Sequence, residues 1–515
     1  MFARVFSGGL VGVDAYRIEV EVDCSGGIGQ IHVVGLPDTA VKESQERVRS
    51  AIKSCDLLMP PGKKWIVNLA PADTRKEGPS YDLPIAVGIL ASTGHVDCSR
   101  LGEFWMVGEL SLDGAVRAAT GVLPLAASCR AAGFSSIIIP EANSTEAELI
   151  DGLNVYPVSH LKQVISILRK CGDPPAKRVD PKVAFERSRD VSKPTLDFAD
   201  VKGQQFAKRA LMIAAAGRHN TLMVGSPGSG KSMLAQRLPG IMPPLQFQEA
   251  IELTKLYSVA GLLRSKGVMI TERPFRSPHH SASVSGLVGG GGYPRPGEIS
   301  LSHYGVLFLD ELTEFPRTHI DALRQPLETG CVTISRAHQT LTYPASFLLV
   351  GACNPCPCGF RGDAFKCCTC TAYQADRYWS KLSGPFLDRV DLHLEVSRLS
   401  ETELASSGGE LGSEGMRAQV LAAVERQRDR FSEDEPFVFN GQLGQKLLKR
   451  FCKIDDKARQ LLARAVSQLG MSARAYDRVL RISRTIADLE GAEQIAHTHI
   501  AEAIRYRTIR SWGHL

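Results

Sequence analysis

Gly225-Ser226-Pro227-Gly228-Ser229-Gly230-Lys231-Ser232 follows the apolar run Thr221-Leu222-Met223-Val224. The octapeptide fits G-x-x-x-x-G-K-[ST], with strand, glycine-rich loop and helix start in the order that a phosphate-binding loop requires. The glycines let backbone N–H groups close around phosphate oxygens. Lys231 supplies a point charge to the β and γ oxygens, and the Ser232 hydroxyl can hold Mg²⁺ at a helix N-terminus. Residues Gly225 to Ser232 are therefore the candidate site for a nucleoside triphosphate, ATP with Mg²⁺.

Downstream, Val306-Leu307-Phe308-Leu309 runs into Asp310-Glu311. The apolar run reads as a buried parallel strand. Two carboxylates at its end are costly unless they work: Asp310 is placed to hold Mg²⁺ through water and Glu311 to orient the attacking water. An edge strand entering an acidic turn is the competing reading, and the phosphate loop upstream favours hydrolysis. A later apolar run, Phe347-Leu348-Leu349-Val350-Gly351-Ala352, ends near Asn354, which can hydrogen-bond the γ-phosphate or the water where strand ends meet phosphates.

The chain has 515 residues, 43% of them apolar and 23% charged, ordinary composition for about three folded domains rather than for disorder. It contains no run of 18 or more apolar residues, and its start lacks the apolar block of a signal peptide, so the expected location is the cytoplasm with no membrane partner. A net charge of +6 permits nucleic-acid binding through local patches without demonstrating it. Of the 13 cysteines, six fall between Cys353 and Cys370, which in a cytoplasmic protein argues for thiols or metal rather than disulfides.

Strand and helix signals alternate through residues 1–170. Tyr16, Ile18, Val20 and Val22 alternate with Arg17, Glu19, Glu21 and Asp23, the period of a half-buried strand. Pro37-Asp38-Thr39 opens an amphipathic helix carrying Val41, Val48 and Ile52, and further strands are predicted at 65–69 and 137–139. Residues 171–195, rich in Pro, Lys, Arg and Asp, read as a linker. A second domain at 196–396 holds the nucleotide motifs. Residues 397–515 pass from a polar, glycine-rich stretch into helices, with Tyr476, Val479, Leu480, Ile482, Ile486 and Leu489 on one apolar stripe. Just before Asn354, residues 332–335 and 340–343 flank Arg336-Ala337-His338-Gln339, a predicted hairpin with a basic tip.

The order GSPGSGKS (225–232), FRSPHHSAS (275–283), GEISLSHYGVLFLDEL (297–312), LETGCVTISRA (327–337), CNPCPCG (353–359), SGPFLDRVD (383–391) and SARAYDRVLR (472–481) resembles the magnesium-chelatase-like AAA+ ATPases of the ComM/YifB family over nearly the full chain. The resemblance implies an α/β AAA+ P-loop core with a helical lid and a homo-oligomeric ring, usually hexameric. In ComM members it implies ATP-driven translocation or branch migration on DNA (single-stranded, duplex or branched) during recombination of incoming DNA in natural transformation. Carried onto this chain, Asn354 resembles sensor 1, Arg389 the arginine finger presented to a neighbouring subunit, and Arg474 the sensor 2 arginine of the lid. The long segment at about 245–303 contains the glycine tract 289–295, which resembles the family's helix-2 insert. That insert and the hairpin point toward the ring axis in the family, so Arg336, His338 and Arg295 are candidate DNA contacts. The plain alternative is a surface loop and a surface ion pair.

Cys356-Pro357-Cys358 and Cys368-Thr369-Cys370 form two close thiol pairs whose spacing allows four thiolates around one tetrahedral Zn²⁺. Cys353 ends a core strand, and Cys367 is an alternative ligand to Cys368. The closest family pattern retains thiols corresponding to Cys356, Cys358, Cys368 and Cys370. Because these thiols are separate in sequence from the phosphate loop and carboxylates, the metal is expected to be an accessory whose loss leaves basal hydrolysis standing.

The first domain resembles the Lon protease proteolytic domain, an α+β fold of the ribosomal S5 domain 2-like type, and RadA-like recombination proteins. Gly78-Pro79-Ser80 matches the segment of Lon's nucleophilic serine, yet Leu123 stands where the lysine base belongs. A serine without a base is a weak nucleophile at neutral pH, so the expected domain is non-proteolytic. A magnesium-chelatase subunit and an AAA+ motor acting on protein are the rival readings.

Overall fold

The computed structural model of the 515-residue chain describes residues 1–169, 180–191, 196–263, 269–291, 295–336, 339–400 and 411–507, without the side chains of 190, 191, 336 and 339. One unit takes Met1–Ser192, Gln246–Thr271 and Pro294–Pro296; the other takes Lys193–Leu245, Glu272–Tyr293 and Gly297–Leu515.

The first unit is built on a seven-stranded mixed sheet in the order Ile31–Val34, Lys63–Ala70, Asp14–Gly26, Phe2–Val11, Phe104–Met106, Ser136–Pro140, Asn154–Val158. Along Asp14–Gly26, Ile18, Val20 and Val22 are fully buried while Arg17 and Asp23 are exposed, the alternation that period two predicts. Asp38 caps the helix Thr39–Ser54, its Oδ1 accepting from the Val41 amide at 2.7 Å, and Val41, Val48 and Ile52 turn inward. Helix Asp82–Ser92 is buried at every position, as its run of apolar residues without a polar face requires. Its carboxylate, Asp82, is paired with Arg47 at 2.7 Å.

Helix Phe247–Ala260 follows the phosphate-loop helix in sequence but folds with this first unit. The Gly121 amide donates to Ser258 O at 3.1 Å, and Ser258 Oγ donates to Glu146 Oε2 at 2.6 Å. Glu146 also accepts from the Asn143 side chain and the Leu123 amide, and burial holds its carboxyl above the ordinary range. Leu123 is fully buried, whereas Ser80 is half-buried. Part of the expected linker 171–195 is also structured here: Pro181–Val191 is a helix, with Phe185 packed edge-on to Phe247 at 5.8 Å between centroids. Composition alone conceals that contact. The rest of 171–195 lies outside the described residues.

The second unit carries a five-stranded, all-parallel sheet in the order Phe275–Arg276, Val306–Leu309, Leu348–Cys353, Thr221–Val224, Leu392–Glu395. Three of these strands, Val306–Leu309, Leu348–Cys353 and Thr221–Val224, are buried throughout, as strands covered on both faces must be. Because Leu348–Cys353 lies between the phosphate-loop strand and the acidic strand, the residue that follows it emerges between the two nucleotide motifs. Helices Ser413–Arg428, Asp456–Leu469, Ala473–Leu489 and His497–Arg505 share one hydrophobic core with this sheet. In Ala473–Leu489, Val479, Leu480, Ile482 and Ile486 are buried, and Tyr476 and Leu489 pack at the margin of the core. Strands Cys331–Arg336 and Gln339–Pro344 form the predicted antiparallel hairpin. Among the described residues no helix is long and apolar enough to cross a membrane.

Candidate active site

Gly228 and Gly230 adopt φ of 79° and 91°, a region that side chains other than glycine rarely enter. Gly230 caps the helix Lys231–Ile241, so the glycine-rich loop runs directly into a helix N-terminus. Lys231 Nζ donates to Gly225 O at 2.7 Å and Ser226 O at 3.0 Å, and lies 3.4 Å from Asn354 Oδ1. Burial lowers its pKa, with Cys353 and Asp310 pulling the other way. Ser232 Oγ donates to Asp310 Oδ2 at 2.7 Å, and Asp310 Oδ1 accepts from the Glu311 amide at 2.9 Å. The hydroxyl and the carboxylate expected to hold Mg²⁺ therefore meet, although 78 residues separate them. Glu311 has a φ of 49°, and its Oε2 lies 3.5 Å from His280 Nδ1.

Arg389 and Arg474 stand elsewhere. Both line a cavity of about 680 Å³ together with Arg218, Arg478, Arg481 and Glu328. Asn220, Phe347 and Asp391, which immediately precede three of the parallel strands, form part of its wall, so it opens at the N-terminal end of the sheet. The phosphate loop, Asp310 and Asn354 follow strands and lie at the opposite end. Strands of four to six residues put about 13–20 Å between the two ends, at about 3.3 Å per residue.

The cysteines gather as a cluster. The sulfurs of Cys356, Cys358, Cys368 and Cys370 all lie within 4.8 Å of one another. Exposed Cys367 is not in this group, and Cys353 is buried, its thiol pushed up to about 12 by that burial. Burial also pushes the Cys358 thiol up, but the Phe360 and Thr369 amides and the Cys356 and Cys370 thiols outweigh it and bring Cys358 down to about 5. The lobe is remote from the phosphate loop only in sequence. A Cβ on Gly359 would come within 2.7 Å of Pro227 Cδ, and Arg398 donates to Pro227 O at 3.1 Å. The Ser226 side chain and the Phe365 amide hold the Asp363 carboxyl below its ordinary range.

Of the candidate DNA contacts, Arg295 is exposed and Arg336 ends a strand of the hairpin, while His338 lies outside the described residues. His280, Gly359, Asp363, Arg398, Arg478 and Arg481 are the residues that sequence reasoning passed over. His280, Gly359, Arg478 and Arg481 fall in quoted motifs but were given no role there; Asp363 and Arg398 lie outside every quoted motif.

Three family models match the chain: "Magnesium chelatase, subunit ChlI" over residues 197–404, "Subunit ChlI of Mg-chelatase" over 20–143, and "Magnesium chelatase, subunit ChlI C-terminal" over 410–507. Together with the parallel sheet and the converging phosphate-loop residues, they define an α/β AAA+ ATPase core of the magnesium-chelatase type. The chain is 44% identical over 512 residues to Competence protein ComM of Haemophilus influenzae, covering 98% of this chain and 97% of that one. It is 42% identical over 505 residues to the uncharacterized protein YifB of Escherichia coli, covering 97% and 96%. To magnesium-chelatase subunit ChlI of Chlorella vulgaris it is 22% identical over 343 residues, covering 62% of this chain and 89% of that one. The chain belongs to the ComM/YifB family of magnesium-chelatase-like proteins.

Proposed function

We propose that this chain is the subunit of a cytoplasmic, ATP-hydrolysing ring motor that acts on DNA, a branch-migration helicase or translocase in natural transformation and homologous recombination. The observation that carries the ring is the placement of Arg389 and Arg474 at the end of the sheet opposite their own phosphate loop. An arginine in that position serves a transition state only across a subunit interface, where it offsets charge on the transferring phosphate. Lys231 and Asn354 then hold the γ-phosphate, Ser232 and Asp310 hold Mg²⁺, and Glu311 orients water. The closed homo-oligomer, a hexamer in this proposal, gives every subunit such a neighbour.

DNA as the substrate is supported by the relative named a competence protein, by the hairpin whose first strand ends at Arg336, and by the basic residues His338 and Arg295 in the sequence beside it and in the glycine tract. Hydrolysis should rise severalfold with single-stranded, duplex or forked DNA, and added salt should remove the stimulation. Rates unchanged by every DNA at low salt would defeat the proposal. The names of the three family models favour a second reading, a chelatase-type subunit. Stimulation by a porphyrin-metalating partner but not by DNA would select it. Stimulation by an unfolded protein instead would select a motor acting on protein.

The first unit fits a Lon-protease-like fold turned to a non-proteolytic role, since buried Leu123 offers Ser80 no base. The four thiols fit Zn²⁺. Bonds of about 2.3 Å at tetrahedral angles put sulfurs about 3.8 Å apart; here Cys356, Cys358 and Cys368 are spaced 3.3, 3.6 and 3.5 Å.

A further inference from the structure

The peptide that carries the thiols also forms one wall of the phosphate loop. Cys356 is two residues from Asn354, whose Oδ1 faces Lys231 Nζ. Gly359, beside Cys358, has a φ of 84° and leaves no room for a Cβ against Pro227. Between the thiol pairs, the Asp363 carboxylate is only 2% exposed; it accepts from the amides of Phe365 and Lys366 at 2.9 and 3.0 Å and lines one small pocket with Ser226 and Arg398. Arg398 closes the clasp, donating to Pro227 O, lying 3.8 Å from Asp363 and sitting over the Phe360 ring at 5.6 Å.

Apolar burial contributes little to the order of this peptide. Phe365 is exposed, and residues 359–367 include no buried side chain of the hydrophobic core. A segment with so little apolar burial is held by polar contacts, and a metal bound by the thiolates at its two ends would add folding free energy directly.

We infer that the four-thiol centre is a strut of the nucleotide site: the metal held by Cys356, Cys358, Cys368 and Cys370 positions Asn354 through Cys356 and clamps Ser226 and Pro227 through Gly359 and Asp363. Metal occupancy thereby sets nucleotide affinity. The inference rests on the phosphate loop as the ATP site and on the thiols as metal ligands, as proposed above, and is independent of DNA.

The test uses the full chain and a fluorescent ATP analogue with Mg²⁺. Affinity is measured as purified, after chelator treatment and removal of the chelator, and after Zn²⁺ is returned. Far-UV circular dichroism and gel filtration follow the fold. Depletion should weaken binding about tenfold or more, as expected for the loss of one hydrogen bond to a charged phosphate oxygen, and Zn²⁺ should restore it. Asp363→Asn and Gly359→Val, which leave the thiols intact, should each weaken binding about threefold or more at unchanged metal content, as expected for a lost charge-assisted bond or a displaced loop. Equal affinity with and without metal overturns the strut. If depletion aggregates the protein, the two variants decide, and wild-type affinity in both overturns it. Lys231→Ala is the control: wild-type affinity there overturns the nucleotide site itself, whatever the metal does.

Discussion

Arg389 and Glu328 form an ion pair: Nη2 donates to Glu328 Oε1, while Nη1 donates to Pro385 O at 2.6 Å. A guanidinium proposed to reach a neighbour's phosphate is thus held by a half-exposed carboxylate of its own subunit. Glu328→Gln should release it and raise turnover, by up to about fivefold because a partly exposed pair is worth about 1 kcal/mol at most. Arg389→Ala should lower turnover about a thousandfold or more with nucleotide affinity retained. Steady-state hydrolysis checks both, and mixing Arg389→Ala with Lys231→Ala subunits should restore part of the activity. Mixed rings that assemble yet stay dead would count against action across the interface.

The two catalytic motifs should separate binding from chemistry. Lys231→Ala removes a charged donor from the phosphates and should weaken nucleotide binding about 10- to 100-fold. Glu311→Gln keeps the binding groups and loses only the orienting carboxylate, so affinity should hold while turnover drops about 100-fold or more. Titration with a non-hydrolysable analogue, set beside turnover, distinguishes the two.

Elemental analysis of protein purified without chelator should find about one zinc per chain. Cys368→Ser should lose it, whereas Cys367→Ser should keep it, because the Cys367 side chain is exposed and apart from the cluster. The reverse pattern would reassign the ligand.

Asp391 joins the C-terminal helices to the N-terminal end of the sheet through an ion pair with Arg478, and His219 Nδ1 lies 3.6 Å away. Burial alone would raise its carboxyl, but Arg478, His219 and Arg507 outweigh it and hold it well below the carboxylate range. A carboxyl whose pKa is depressed by folding contributes stability above its unfolded value of about 3.9 and loses that contribution as pH falls through the folded value. Asp391→Asn should cost about 3–5 kcal/mol at pH 7, since Arg478 is left without its buried partner. Urea melts should show the gap to wild type narrowing below about pH 4, and a gap that stays constant with pH would contradict the assignment.

Arg336→Ala should weaken binding to a forked DNA and flatten its salt dependence by about one unit of slope, since one fewer phosphate contact releases fewer counterions. Hydrolysis without DNA should change little. Coincident salt curves for wild type and variant would take Arg336 out of the DNA path.

The phosphate loop, the acidic strand and the apolar stripe of Ala473–Leu489 were legible in the chain because their physics is local. A glycine with positive φ, a run of strand residues and a 3.6-residue period each act over one or two turns of backbone. The alternation of Ile18, Val20 and Val22 was legible for the same reason. The helix Pro181–Val191 was not, since its packing against Phe247 depends on a segment more than fifty residues away.

By itself, then, the sequence determined which groups form the glycine-rich loop proposed to bind phosphate, which carboxylates stand at a strand end and which thiols lie close in the chain. These properties belong to residues a few positions apart. Only the tertiary structure decided that Asn354 falls beside Lys231, that Arg389 and Arg474 face away from their own phosphate loop, and that Gly359 and Asp363 press on Ser226 and Pro227. Those relationships follow from strand order. A parallel sheet carries each strand's end to one edge and its beginning to the other, and no local spacing encodes which strands lie side by side.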